Sequence, residues 1–532
     1  MKFLSPADWA VIVLYLLGII ALGVWFGRDQ RNTRDYFLGS KNIPWWGIGL
    51  SIVAAETSAL TIIGVPGIAY GSNLAFLQLI IGYVLARIIL AIVMVPHYLK
   101  GEIYSPYQLF ANAFGVSTRQ TAAGLFLISE TLAAGVRVYV VCIPIQLMLG
   151  IEILPAIILF IVLSLLYTYV GGVKAVIWTD AAQFGLFLAG GIFTLWYIPH
   201  IYDGGLRGVL SAGYQAGKLH WLNVFPASAE PMTILRVLRF LLEDPINLWM
   251  GIIGGTVMVM SSHGAEQLIV QRVLACKTVT DGRKALALSA VVIFPLFLIF
   301  LLIGAMLWVF YQKYPMQIAI PQPRPGIQKF DYIYPIFMLT EAPPVLKGFL
   351  IVAILSAAMS SVSSALTSLA SVSTMDFVKA MVVRTTRSEE FFLRFSKAST
   401  VFWAAVLIYC AYLSREVTFV LDAAFKLRGL TSGALLGGLL LTVFWKKGRG
   451  FPVITGMLCS LAVMISISPL VQANLPPNWP RLSVKIAFPW YTLIGTSTML
   501  VVAWICRLCA RSSADCAAAK AIKPSESSPT LR

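Results

Sequence analysis

Thirteen mostly apolar stretches of about 20 residues follow one another along this chain, each long enough to cross a ~30 Å hydrocarbon layer as a helix. They lie at about 8–27, 46–69, 75–99, 121–148, 151–170, 177–199, 241–262, 285–311, 347–375, 397–414, 418–445, 451–471 and 487–507. The seventh is the weakest, because Glu243, Asp244 and Pro245 interrupt its start. Charged residues make up 12% of the 532, about half the ~25% usual in soluble proteins. The apolar faces therefore meet lipid, and the reading is an all-α integral membrane protein. A soluble enzyme, a disordered chain and a disulfide scaffold are excluded. The first run, Trp9 to Phe26, is long enough to span and has no small-residue cleavage site after it, which marks a helix and not a removable leader.

An odd number of spans puts the two ends of the chain on opposite sides. If the loop after the first span is cytoplasmic, the cytoplasmic side collects roughly twice as many Lys and Arg as the other. The expected orientation is thus N-terminus outside and C-terminus cytoplasmic, in a cell (inner) membrane. The same bias accounts for the net charge of +17 without nucleic acid as a partner. The seven cysteines fall mostly inside apolar runs, where a thiol acts as a small hydrophobe. No GxxxxGK[ST] loop is present, so ATP is not the direct energy source. Two outer loops are long, about 200–240 and 312–346, and each reads equally as a partial lid or as a passive connector. The segment 510–532, rich in Ala, Ser, Lys and Pro, reads as a disordered cytoplasmic tail.

Two spans carry polar features that a lipid-facing helix does not need. The second holds Glu56 among small residues, then Gly64, Pro66 and Gly67. Unsatisfied backbone in lipid costs several kcal/mol, so a break is tolerated only where it lines a protein cavity. An unwound stretch near Ala54–Thr57 would offer carbonyl oxygens, hard ligands suited to a small cation. A continuous helix with small residues for close packing fits the same letters. In the ninth span Ala357, Ser360, Ser361 and Ser364 fall at i, i+3, i+4 and i+7, on one helical face. Their hydroxyls supply neutral oxygen ligands, or they let helices approach closely. Asp180, just inside the sixth span, is an ionisable group in the membrane, and it is read either as a functional carboxylate or as one that snorkels or pairs with Lys174.

Several segments, in order, resemble the sodium:solute symporter family. They are Asp35-Tyr-Phe-Leu-Gly39 followed by Trp45-Trp46-Gly-Ile-Gly, Gly171-Gly-Val-Lys-Ala-Val-Ile-Trp-Thr-Asp-Ala-Ala-Gln183, Val270-Gln-Arg272, Thr374-Met-Asp376 and Val443-Phe-Trp-Lys-Lys447. The resemblance covers roughly residues 8 to 450. It implies a LeuT-like inverted-repeat fold with about 13 transmembrane helices. One helix and its cytoplasmic loop (1–45) precede a first five-helix repeat with its outer loop (46–240). A second, inverted repeat (241–447), two added helices (448–509) and the tail (510–532) follow. The second and seventh spans are then the broken helices, and Gly251, Gly254 and Gly255 are the expected unwinding point of the seventh.

By the same resemblance, Na+ is the coupling ion and no organic cofactor is needed. The main sodium site uses the carbonyls of Ala54, Thr57 and Ala357 and the hydroxyls of Ser360 and Ser361. A Ser-Ser-x-Ser-Ser run with an acidic residue on the sixth span marks a second site in the sialic acid transporter type; here Ser363 and Ser364, with Ser360, Ser361 and Asp180, match it. The candidate solute contacts are Glu56, Ser58, Thr61, Arg137 and Phe425. Phe425 falls where sugar transporters of the family carry a Gln, which argues against a sugar pocket of that kind. Arg137 lies seven residues after Glu130 on one face of the fourth span. The family's carboxylate-binding Arg falls about one turn earlier, near Ala133, a distance of only about 5.4 Å.

Arg137, with Lys426 and Arg428, points to an organic anion such as a monocarboxylate or sugar acid; pairing of Arg137 with Glu130 is the competing reading. The expectation is a sodium-coupled symporter, not an enzyme, that imports a small organic solute by alternating access. Its partners are that solute and the bilayer, with no obligatory protein partner. The rivals are proton coupling through Glu56 or Asp180, and a sensor or channel on the same helices.

Overall fold

The computed structural model describes residues 4–27, 31–226, 232–322, 328–381, 388–416, 420–445, 448–468, 471–472 and 486–521. Among these the chain is all helix and turn. The long helices are α1 (Pro6–Phe26), α2 (Trp45–Glu56), α3 (Ala59–Gly71), α4 (Leu77–Val93), α5 (Val116–Leu149), α6 (Ile153–Ile201), α7 (Ile234–Glu243), α8 (Thr256–Gly264), α9 (Gln267–Leu274), α10 (Val279–Lys313), α11 (Leu346–Val372), α12 (Glu389–Leu413), α13 (Val420–Phe444), α14 (Gly450–Ile467) and α15 (Pro489–Ala521).

Nine of the described helices are long and apolar enough to span, or eleven when the bent pairs α2/α3 and α7 with 248–264 each count once. α6 adds another. Its 49 residues would run about 74 Å if straight, more than twice the hydrocarbon thickness. It is interrupted at Gly172, with φ 54° and ψ −159°, so 153–171 and 173–201 are separate spans, as the apolar runs predict. A Cβ at Gly172 would stand 2.5 Å from the Tyr36 carbonyl oxygen, so both the dihedral and the close approach demand glycine. With α13, whose apolar part is shorter, the thirteen expected runs are all helical.

Local chemistry sets the ends. Ser5 caps α1 by accepting from the Asp8 N–H (3.2 Å), and Asp8 Oδ2 accepts from the Ser5 N–H (2.8 Å), with Pro6 in the first turn. Asp8 Oδ1 also accepts from the N–H groups of Val345 and Gly348, both at 2.8 Å. One carboxylate therefore caps two helices and ties α1 to the start of α11.

α11 is the central rod. Every residue from Leu350 to Val372 is buried, and its most extensive neighbour is α6. A helix buried all round can be polar only if its polar groups find partners. Several of its serines do so by donating to their own helix: Ser361 to the Ala357 carbonyl (3.1 Å), Ser363 to Ser360 (3.0 Å) and Ser368 to Ala365 (3.0 Å). The hydroxyl row faces protein, not lipid.

Three expectations change. The glycines at 251–255 form a π-helical turn, not an unwound segment. Their lack of side chains lets the backbone pass directly against Gln78, Leu79 and Gly82 of α4. The seventh span bends by 50° after α7, ahead of 248–264, where Asp244 and Pro245 interrupt it. The last helix continues to Ala521, so 510–521 are helical where a disordered tail is expected; the alanines at 514 and 517–519 favour helix. Residues 522–532 lie outside the described residues.

The outer loop after α6 is attached to the bundle. Lys218 Nζ donates to the carbonyls of Tyr70 (2.7 Å) and Ser72 (2.9 Å) at the end of α3 and lies 4.7 Å from the Trp308 ring centre. Burial lowers its ammonium below the usual lysine range.

Candidate ion and solute site

α2 stops at Glu56 and α3 starts at Ala59. Between them Thr57 adopts φ −79° and ψ 83°. The helix is thus intact through Ala54 and Ala55, and the break is narrower and later than the sequence suggests. The Ser58 N–H turns to the Glu56 carbonyl (3.0 Å) instead of closing a helical turn onto Ala54. This leaves the Ala54 carbonyl without its helical donor, and the buried Thr57 Oγ1 has no partner. α11 packs against both α2 and α3. On it the Ala357 carbonyl and Ser361 hydroxyl, two further expected ligands, already touch at 3.1 Å. Ser360 turns elsewhere: its hydroxyl donates to Asp180 Oδ1 at 2.7 Å. Ala54, Thr57, Ala357 and Ser361 are all buried, and this neutral, oxygen-rich donor set suits a hard monovalent cation.

Asp180 is fully buried and already holds a cation. Arg272 Nη2 stands 2.7 Å from Asp180 Oδ2, and Ser51 Oγ donates to the same oxygen at 2.6 Å. Arg272 Nε donates to Ser51 Oγ (2.8 Å), and Nη2 also bonds Ser364 Oγ. Ser363 donates to the Ser360 carbonyl. Asp180, Ser360 and Ser364 do converge, but around a guanidinium, and Lys174 is not the partner. The motif residue Arg272 reveals this role only in three dimensions.

A second break separates α8 from α9. Glu266 leaves the helical region (φ −97°, ψ 131°), and the freed Gly264 carbonyl accepts from the Tyr98 hydroxyl. The two breaks face a cavity of about 110 Å³. Glu56, Ser58, Thr61 and Arg137, four of the candidate solute contacts, line it; the Phe425 side chain lies outside the described residues. His263, Glu266 and Arg428 line it too. His263 and Glu266 escape a reading that ends the seventh span at 262, although Ser261-Ser262-His263-Gly264-Ala265-Glu266-Gln267 is a polar run at an apolar border and so carries a signal.

Charge around the cavity is arranged in pairs. Glu56 bonds Arg87, and His263 Nε2 lies 3.5 Å from the same carboxylate. Glu266 takes a two-pronged contact from Arg428, with Nε to Oε1 at 2.8 Å and Nη2 to Oε2. Glu130 bonds Arg137 Nη2, the pairing that the seven-residue spacing allows. That contact leaves Arg137 Nε buried without a partner. An unpaired buried donor costs about 1–3 kcal/mol, and an acceptor brought into the cavity removes that cost.

The model of the sodium:solute symporter family matches residues 36–459. A sodium/sialic acid symporter of Proteus mirabilis is 28% identical over 508 residues, covering 94% of this chain and 94% of that protein. The human sodium-coupled monocarboxylate transporter 1 is 25% identical over 484 residues, covering 90% of this chain and 75% of that protein. A solved structure of a Na+-coupled sialic acid symporter, substrate-bound and outward-open, superposes with a TM-score of 0.80 at 24% identity, covering 94% of this chain and 97% of that one. This last likeness carries the fold, which is LeuT-like.

Proposed function

The chain belongs to the sodium:solute symporter family and is a sodium-coupled solute symporter; from that premise we propose that its solute is an organic acid. The observation that carries this reading is Arg137, a residue of the cavity lining whose buried cationic Nε has no hydrogen-bond partner among the described residues. A carboxylate oxygen satisfies that donor with a charge-assisted bond. The relatives named for sialic acid and monocarboxylates also carry carboxylic acids. The three glutamates and three arginines around the cavity balance. A carboxylate entering alone would add an uncompensated buried charge, which is costly. A sodium ion entering with it restores neutrality. Symport then follows from electrostatics: each ion lowers the cost of burying the other.

Sodium occupies the Thr57–Ser58 break, held by the carbonyls of Ala54, Thr57 and Ala357 and the hydroxyl of Ser361. Ser360 joins only when it leaves Asp180. Thr57 Oγ1, buried and unpartnered, is a further ligand. The ion draws two halves of a broken helix onto α11, and the solute bridges the two breaks. Both stabilise the same closed state, and alternating access moves one repeat against the other around them. The N-terminus faces outward, in line with the Lys and Arg bias of the loops.

The test is uptake into proteoliposomes of labelled lactate, sialic acid, glucose and proline, with a sodium gradient or with choline at fixed pH. Uptake of an acid that requires sodium supports the proposal. Competition by neutral sugars alone removes the acid, and undiminished uptake in choline removes sodium.

A further inference from the structure

Arg87 is wholly buried, does not line the cavity and has no part in the scheme above. Yet its guanidinium reaches both helix breaks. Nη2 bonds Glu56 Oε2, where α2 ends, and faces His263 Nε2 at 3.1 Å, next to the end of α8. Nη1 donates to the Tyr83 carbonyl (2.8 Å) and Nε to Ser289 Oγ on α10 (3.2 Å). A guanidinium has no acceptor, so in its contact with Arg87 the His263 ring accepts through Nε2, and Nδ1 faces Ser262 Oγ at 2.9 Å. A polar line thus runs through Glu56, Arg87, His263 and Ser262. Glu56 sits one residue before Thr57, and Ser262 and His263 form part of the cavity wall.

We propose that Arg87 is the positioning residue through which the sodium site and the solute cavity sense each other. The proposal rests on the symport reading given above. Sodium at Ala54 and Thr57 sets the main chain that carries Glu56. A largely buried carboxylate and the wholly buried guanidinium paired with it separate at high cost, so Arg87 follows Glu56 and carries His263 with it. The wall that meets the solute is then shaped by whether the ion is bound. By reciprocity, solute against that wall must tighten sodium by the same factor.

The test measures that factor. The sodium concentration for half-maximal uptake is determined with labelled lactate or sialic acid, whichever the panel above identifies, well below and well above its own half-saturation. The wild-type protein is expected to show a fall of about fivefold or more, the lower range of such couplings. Three variants follow. Glu56→Gln/Arg87→Gln removes both charges together, so that neither is left buried alone. His263→Asn cuts the link at the cavity end and leaves the Glu56–Arg87 pair in place. Arg87→Lys keeps a charge opposite Glu56 without the fork that reaches His263. In each, the fall is expected to shrink to within about twofold; in Arg87→Lys, whose side chain does not line the cavity, uptake at saturating sodium and solute persists. A fall equal to wild type in both His263→Asn and Arg87→Lys overturns the proposal, even if the double variant does not fold. A wild-type protein whose uptake ignores sodium overturns the symport reading first, and this proposal with it; the two failures are told apart before any variant is made.

Discussion

Asp180 Oδ2 and Arg272 Nη2 stand 2.7 Å apart, in a part of the bundle that water does not reach. Two serines complete the carboxylate shell, Ser51 at 2.6 Å and Ser360 at 2.7 Å. The carboxylate that sequence comparison offers to a second sodium ion is thus neutralised by the chain's own cation.

One consequence concerns stoichiometry. A second sodium at Asp180 would meet a carboxylate whose charge Arg272 already balances, so a single coupling ion is expected. One Na+ carried with one monovalent acid moves no net charge. Imposing a potential across proteoliposomes should then leave initial uptake nearly unchanged. Two ions would add about 2.3 kcal/mol per 100 mV of driving force, and a strong potential dependence would show it.

The same pair governs folding. Arg272→Gln leaves Asp180 buried without its counter-charge, a loss of about 3–5 kcal/mol in comparable buried pairs. Asp180→Asn combined with Arg272→Gln should recover much of that loss. Thermal melting of the detergent-solubilised protein checks this through the order of three midpoints: wild type, then the double variant, then the single one.

Arg137→Gln removes the donor proposed to meet the solute carboxylate. A hydrogen bond to a charged group is worth about 1.5–3 kcal/mol, so the KM for the transported acid should rise by roughly 10- to 150-fold. A neutral compound that competes for the cavity should be affected far less. Competition assays with paired acid and amide forms of one solute measure the difference directly.

Gly172→Ala tests the fold instead of the site. Alanine is strained at a φ of 54°, at a cost of about 1–3 kcal/mol, and its methyl group meets the Tyr36 carbonyl. The yield of monodisperse protein should fall. Gly185→Ala, where no atom lies near the added carbon, is the matched control and should not reduce it.

Much of this was legible in the letters, because the bilayer makes length and apolarity almost sufficient to locate a span. The thirteen runs could be read that way; the break beside Glu56 and the serine face at 360 and 361 fit a site and close packing equally until the family resemblance is added. What escaped reading was pairing across the fold. Arg87 and Glu56, Arg428 and Glu266, and Arg272 and Asp180 are far apart in sequence, and no periodicity announces them. The glycines at 251, 254 and 255 misled for a related reason. A glycine cluster marks close approach as readily as it marks unwinding, and here α4 beside Gly251 and Gly255, with Pro489 of α15 beside Gly254, decided between them. The second break, at Glu266, is signalled only by a polar run at the edge of an apolar one.

A sodium titration of uptake in Ser361→Ala goes to the centre of the account. The hydroxyl it removes is one ligand of a cage formed where α11 meets the interrupted helix α2/α3. Loss of a neutral oxygen contact worth about 1 kcal/mol should raise the half-maximal sodium concentration by about fivefold. The KM for the solute at saturating sodium should stay near wild type. A titration curve that overlays the wild-type curve would contradict the placement of the ion at this break.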